Sequence, residues 1–193
     1  AANELFPEWD LWAQFFTDEL VGAFALDSLN SSHPIEVPVI RPESLGETFD
    51  AISYNKGSAV IRMLEQYLGE SVFRNGLRYY LNKFRYGNTI TDDLWNSLAK
   101  VSRKPVKKIM DSWTKQTGYP IISVKDRGDK ILFEQERFLL LKKPSKTLWY
   151  IPISIKQGNK EKNYEMRNKR LLIRVKKPLI INSLRVLVAQ ILN

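Results

Sequence analysis

The hydrophobic period of this 193-residue chain changes once, close to Gly118-Tyr119-Pro120. Before that point apolar residues recur at steps of three and four, the spacing of amphipathic helices. After it they come in short β-like runs separated by turn residues. Charge shifts at the same place. Residues 1–117 carry 13 Lys and Arg against 15 Asp and Glu, whereas residues 118–193 carry 17 against 6. Segregation of this kind predicts an α+β chain: a helical domain over residues 1–118, then a small antiparallel β-sandwich over 119–193.

Within the helical half, Pro7 suits a first helical turn, where a missing N–H costs nothing. Trp9, Trp12, Ala13, Phe16, Leu20, Ala23 and Phe24 then form one apolar face, read as core and not as a cofactor box. Asn30 to Pro34 stops that helix, and Ile35 to Val39 runs extended, with Pro38 refusing a helix. A helix opening at Tyr54 continues through Val60, Met63, Leu64 and Tyr67 to Gly69, placed as a C′ cap. Ser71 caps a helix running to Phe84, and Thr91 caps another from Asp92 to about Val101. Pro105 opens a last helix through Trp113 that closes at Gly118. Strands are predicted over Pro120–Val124, Ile131–Leu140, Trp149–Ile155, Tyr164–Met166, Leu171–Val175 and Leu179–Leu192. Turns fall at Asp126–Asp129 and Gln157–Lys160.

Several function classes drop out at this level. Five Trp, eight Tyr and nine Phe are enough to offset chain entropy in a real core. There is no run of 18 apolar residues to span a membrane. Absence of cysteine excludes disulfides and thiolate chemistry. The chain opens on Ala1 with no visible signal peptide, and the expectation is a cytoplasmic protein. A single histidine, His33, excludes a His-rich metal site and reads as a structural or surface residue in a turn. Asp10, Asp18, Asp27 and Asp50 fit no ligand spacing and read as solvated or capping groups. Lys56 reads as a solvated lysine in a first helical turn.

Five blocks carry a resemblance. They are LFPEWDLWAQF at Leu5–Phe15, ALDSLNSSHPIEVPV at Ala25–Val39, FDAISYNKGSAVIRML at Phe49–Leu64, the run from Tyr67 to Trp95, and MDSWTKQTGYPIISV at Met110–Val124. In this order they resemble the gluzincin zinc aminopeptidases, over the part of the catalytic domain that follows the zinc helices and into the β-sandwich domain. The resemblance implies removal of N-terminal amino acids from peptides. It also implies one catalytic carry-over, Tyr54, whose hydroxyl would donate to the oxyanion formed at the peptide carbonyl. A phenol of ordinary pKa, about 10, can donate to developing negative charge at neutral pH.

The family's HExxH motif, zinc glutamate and amino-terminus-binding motif are absent from this sequence and are expected to precede Ala1. Zinc is therefore the cofactor of the intact enzyme, with none expected at a catalytic site in this chain, which should be inactive alone. Expected partners are peptide substrates and the preceding half of the catalytic domain, or further copies of the chain through uncovered apolar helices. The tail departs from the family pattern: Leu184 to Asn193 replaces the usual terminal strand, and the last strand is the least defined. An alternative reading is a non-catalytic remnant that works by binding. A third is a basic nucleic-acid-binding β domain built on Lys142-Lys143, Lys146, Lys156, Lys160, Lys162, Lys169-Arg170 and Lys176-Lys177. Lysines in turns also guard sheet edges, and few rings are available to stack bases: Phe133, Phe138, Trp149, Tyr150 and Tyr164.

Overall fold

The computed structural model describes residues 2–37, 49–141, 145–176, 179–181 and 190–192. Pro38, Val39, Lys142-Lys143, Lys177 and most of the tail beyond Ile181 lie outside these residues. The order of elements is α then β, as the change of period requires.

The first predicted helix is broken. After α1 (Ala2–Leu5) a 3₁₀ turn at Pro7–Trp9 ends on Asp10, whose φ of 43° lies in the left-handed region. The chain restarts as α2 (Leu11–Gln14) and passes through a π turn at Phe15–Leu20 into α3 (Val21–Asp27). Leu20, Ala23 and Phe24 are buried, but Trp9 and Trp12 are 51% and 41% exposed. The aromatic stripe is therefore not core along its whole length. Its N-terminal part faces outward, and Phe6 stacks on Trp9 at 4.4 Å between ring centroids.

The second helix carries Tyr54 in a π turn at Ile52–Lys56 and continues as α4 (Gly57–Leu68). Gly69, at φ 87°, closes α4 and leads straight into α5 (Glu70–Lys83), so Ser71 sits inside the first turn and caps nothing. Next comes α6 (Thr91–Ser102), capped one residue earlier than predicted. The N–H of Ile90 donates to Asp93 Oδ2 at 3.0 Å, which fixes Ile90 as the cap. Pro105 stands before α7 (Val106–Thr114), which ends well ahead of Gly118.

The β half forms two sheets from β1 (Pro120–Asp126), β2 (Lys130–Arg137), β3 (Ile151–Gln157), β4 (Lys160–Met166), β5 (Arg170–Arg174), β6 (Ile180–Ile181) and β7 (Gln190–Leu192). One sheet has the order β5-β2-β1-β7, the other β4-β3-β6. The β1–β2 hairpin pairs Val124 with Phe133, and β3–β4 pairs Ile153 with Tyr164. Both are antiparallel, as expected. The exception is β7, which joins the free edge of β1 in parallel, Ile122 opposite Ile191.

Gln135 stitches the sheets together. Its Nε2 donates to the carbonyl of Trp149 at 3.0 Å, and its Oε1 accepts from the Trp149 N–H at 2.9 Å. A fully buried amide with both ends satisfied avoids the cost of an orphan polar group. Trp113 of α7 packs on Trp149 and donates its indole N–H to the Tyr150 carbonyl at 3.0 Å. One contiguous hydrophobic cluster thereby runs from Leu20 in the helices to Ile173 in the sheets.

Candidate active site

Tyr54 is held from three directions. Ahead of it, Asp50 accepts from the Ser53 N–H at 2.9 Å through Oδ1, and its Oδ2 lies 2.7 Å from His33 Nε2. The other ring nitrogen of His33 donates to the Pro34 carbonyl at 2.8 Å. A carbonyl and a carboxylate both only accept, so this geometry suits an imidazolium donating from each nitrogen. Partial burial pulls the His33 pKa down, but the bonds to Pro34 and Asp50 outweigh it and hold the pKa above 6.5. Burial raises Asp50, and the Ser53 N–H and His33 outweigh that too, leaving its pKa below 3.8. Beside Tyr54, Asn55 Nδ2 donates to Glu19 Oε2 at 2.8 Å, which ties this π turn to the earlier one.

The sign of the pH dependence follows. His33 has a raised folded-state pKa, so its contribution is complete below pH 6.5 and fades as pH rises through the folded value. The lowered pKa of Asp50 adds stability that is present above pH 3.8 and fades on acidification. Both side chains are close to a third exposed, so the pair is worth about 1 kcal/mol or less. Urea midpoints at pH 5.5 and 8.5 should show His33→Gln losing stability at the lower pH and little at the higher.

Beneath Tyr54 sits Lys56, and here the sequence expectation fails. Lys56 is wholly buried, not solvated, and its Nζ lies 2.8 Å from Oδ2 of an equally buried Asp27. Nζ also donates to the Gly118 carbonyl at 2.9 Å. Asp27, read from sequence as solvated or capping, accepts through Oδ1 from the Gly118 N–H at 2.9 Å and from Ser32 Oγ at 2.6 Å. One signal could have found the buried lysine: Tyr54 and Lys56 are two residues apart, roughly 200° around a helix. If one is presented to solvent, the other points inward.

Tyr54 itself is 57% exposed and stacks loosely on Phe49, 6.1 Å between ring centroids. Among the described residues its hydroxyl has no hydrogen-bond partner. It lines two open cavities. One, of about 390 Å³, is bounded by Trp12, Ser58, Ile61 and Arg62, with the Arg62 guanidinium 4.1 Å over the Trp12 ring. The other, of about 370 Å³, is bounded by Ile35, Val37, Phe49 and Thr91. A hydroxyl so placed can donate to an oxyanion in a peptide laid across either groove.

The donor set does not fit a zinc ion. Among the described residues no three His, Cys, Asp or Glu side chains converge, and both nitrogens of His33 are engaged. No chemistry is routed through a metal held by these residues.

Two other clusters escaped the sequence reading. Glu165 of β4 accepts from the hydroxyls of Tyr67 and Tyr150 and from Arg167. Burial raises its pKa, but these donors take it down to about 2. This contact fastens α4 to the second sheet beside a 530 Å³ cavity that includes Lys104. In the basic half, Phe133, Trp149 and Tyr150 are buried and unavailable for base stacking. Lys125 and Arg170 both pair with Glu134, and Arg174 pairs with Asp129.

Residues 1–113 match the Peptidase family M1 domain, and the chain belongs to that family. It is 48% identical over 164 residues to the mitochondrial aminopeptidase 2 of Saccharomyces cerevisiae, covering 82% of this chain and 17% of that protein. Aminopeptidase M1 of Arabidopsis thaliana is 46% identical over 171 residues, 88% of this chain and 19% of that one. The probable aminopeptidase 2 of Sulfurisphaera tokodaii is 42% identical over 164 residues, 85% and 21%. The chain thus spans about a fifth of the length of the relatives it matches. Among the described residues no helix is long and apolar enough to cross a membrane.

Proposed function

We propose that this chain is the part of a zinc-dependent aminopeptidase that follows the metal site, comprising a helical portion over residues 1–118 and a β-domain over 119–193. In the complete polypeptide it would serve the release of N-terminal amino acids from peptides, with Tyr54 donating to the oxyanion. The observation that carries this reading is the placement of Tyr54: it sits in a π turn between two grooves, with its hydroxyl unengaged among the described residues. π turns inside helices are frequent at functional sites.

Exposed apolar side chains in the first helices support the rest of the reading. Leu5, Phe6, Trp9, Trp12, Val21 and Leu26 are all exposed, from 41% at Phe6 and Trp12 to 72% at Leu5. So many exposed large apolar side chains in the first helices call for a partner, here the preceding half of the catalytic domain with its zinc ligands. Without that partner the chain should elute as oligomers.

Complementation tests the proposal. The S. cerevisiae relative, truncated before the position matching Ala1, is co-expressed with this chain and assayed on an aminoacyl p-nitroanilide. Activity from the pair and from neither piece alone is expected, with Trp12→Asp weakening the complex. A complex without activity favours the interaction-module reading. Tight stoichiometric zinc and peptide hydrolysis by this chain alone overturn the proposal.

A further inference from the structure

Three distant segments meet under Tyr54 at one charge pair: the end of α3, the π turn, and the residue that leads into β1. The contact is an ion pair through Asp27 Oδ2 and hydrogen bonds through Oδ1 and Lys56 Nζ, while Nε and Nη2 of the adjacent Arg137 have no hydrogen-bond partner among the described residues. Asp27 receives Lys56, the Gly118 N–H and Ser32, and Lys56 reaches both Asp27 and the Gly118 carbonyl. Gly118 is a requirement of the arrangement. Its φ is 89°, and a Cβ there would stand 2.3 Å from Arg137 Nε, so only glycine can bring both its N–H and its carbonyl to the pair. A buried ion pair is weak evidence for stability, because desolvation offsets much of the attraction. Its better-attested value is to specify one arrangement.

We propose that Lys56 is a positioning residue for Tyr54, seating the π turn on Asp27 and Gly118 so that the phenol stands at one place beside the grooves. The inference rests on Tyr54 being the oxyanion donor. Lys56 lies on the opposite face of the same turn, so a displacement of that turn from its anchor on Asp27 and Gly118 carries the tyrosine with it. The fit is to a compact ammonium; the planar, larger guanidinium of arginine would keep the charge and lose the geometry. Through Gly118 the β half also takes part in placing a side chain it never touches.

The experiment uses the complete aminopeptidase polypeptide that carries this segment. Lys56→Met with Asp27→Leu removes both charges together, leaving no unpaired charge of the pair, although Gly118 and Ser32 lose their partners. Lys56→Arg keeps the charge. Each should lower kcat about tenfold or more with KM within about twofold. On either background Tyr54→Phe should then add only what remains of its own effect, about tenfold or less, against roughly 10²-fold or more on the unmodified enzyme. Such non-additivity is not expected of a residue that only stabilises the fold. A folded variant with unchanged kcat, or full additivity with Tyr54→Phe, overturns the proposal. Should the double variant fail to fold, Lys56→Arg carries the same comparison. If Tyr54→Phe leaves kcat unchanged on the unmodified enzyme, the reading of Tyr54 itself fails, and that outcome is told apart from the others.

Discussion

Asp27→Ala should destabilise the chain by about 3–5 kcal/mol at pH 7, the range for breaking a buried ion pair from one side. The substitution leaves the Lys56 ammonium facing the Gly118 carbonyl alone, and strips the Gly118 N–H and Ser32 of their acceptor. The pH dependence separates charge from packing. Burial holds the Lys56 pKa below 10.5, with the Asp27 carboxylate pulling it back up and Arg137 pushing it further down. A folded-state value below the unfolded one means the unfolded chain binds more protons between the two, so stability rises with pH across that window. Removing Asp27 removes the upward pull and widens the window. The deficit of Asp27→Ala should therefore shrink between pH 7 and pH 10, as the orphaned lysine folds in neutral form. Urea midpoints of both proteins at pH 7, 8.5 and 10 measure it, and titrations common to the two cancel in the difference. A deficit independent of pH would assign the loss to packing. Asp27→Leu combined with Lys56→Met should cost far less than either single change, because no buried charge is left alone.

Sequence made some of this legible and hid the rest for identifiable reasons. Tyr54 could be singled out because its neighbours, Phe49 to Gly57, are distinctive as a block. The hairpins could be read because Gly128 and Gly158 both adopt positive φ at the predicted turns, between alternating apolar residues. Lys56 and Asp27 were invisible because a charged residue in a helix reads as solvated unless its partner is known, and here the partner lies 29 positions earlier on another helix. The stripe from Trp9 to Phe24 was a correct periodicity, but periodicity says that a face is apolar, not what covers it. Asp10 breaks that helix through a left-handed backbone at a non-glycine residue, which no local pattern announces. The parallel pairing of β7 was hidden too, since apolar alternation sets which face a strand buries and not the direction in which the chain returns.

Tyr54→Phe should behave in the opposite way to Asp27→Ala: little change in stability and a large loss of turnover. Its hydroxyl has no partner among the described residues, so deleting it breaks no folded-state hydrogen bond there. Phenylalanine keeps the contact with Phe49, and a half-exposed ring of the same shape leaves the grooves unaltered. The thermal midpoint should therefore move by no more than corresponds to about 0.5 kcal/mol, as for surface changes away from special features. In the complete polypeptide, kcat on an aminoacyl p-nitroanilide should fall roughly 10²–10³-fold, the loss typical of one oxyanion donor. That corresponds to about 3–4 kcal/mol of barrier, present only when negative charge develops on the carbonyl oxygen. KM should stay within about twofold, because the ground-state carbonyl gains little from the phenol. The split between the two constants decides the role. A rise in KM with kcat kept would make Tyr54 a uniform binder of substrate, and a loss of both through a lowered thermal midpoint would make it structural. Only a fall in kcat at constant KM and constant stability fits a hydroxyl that the fold exposes, leaves unengaged among the described residues and holds on a turn anchored by a buried lysine.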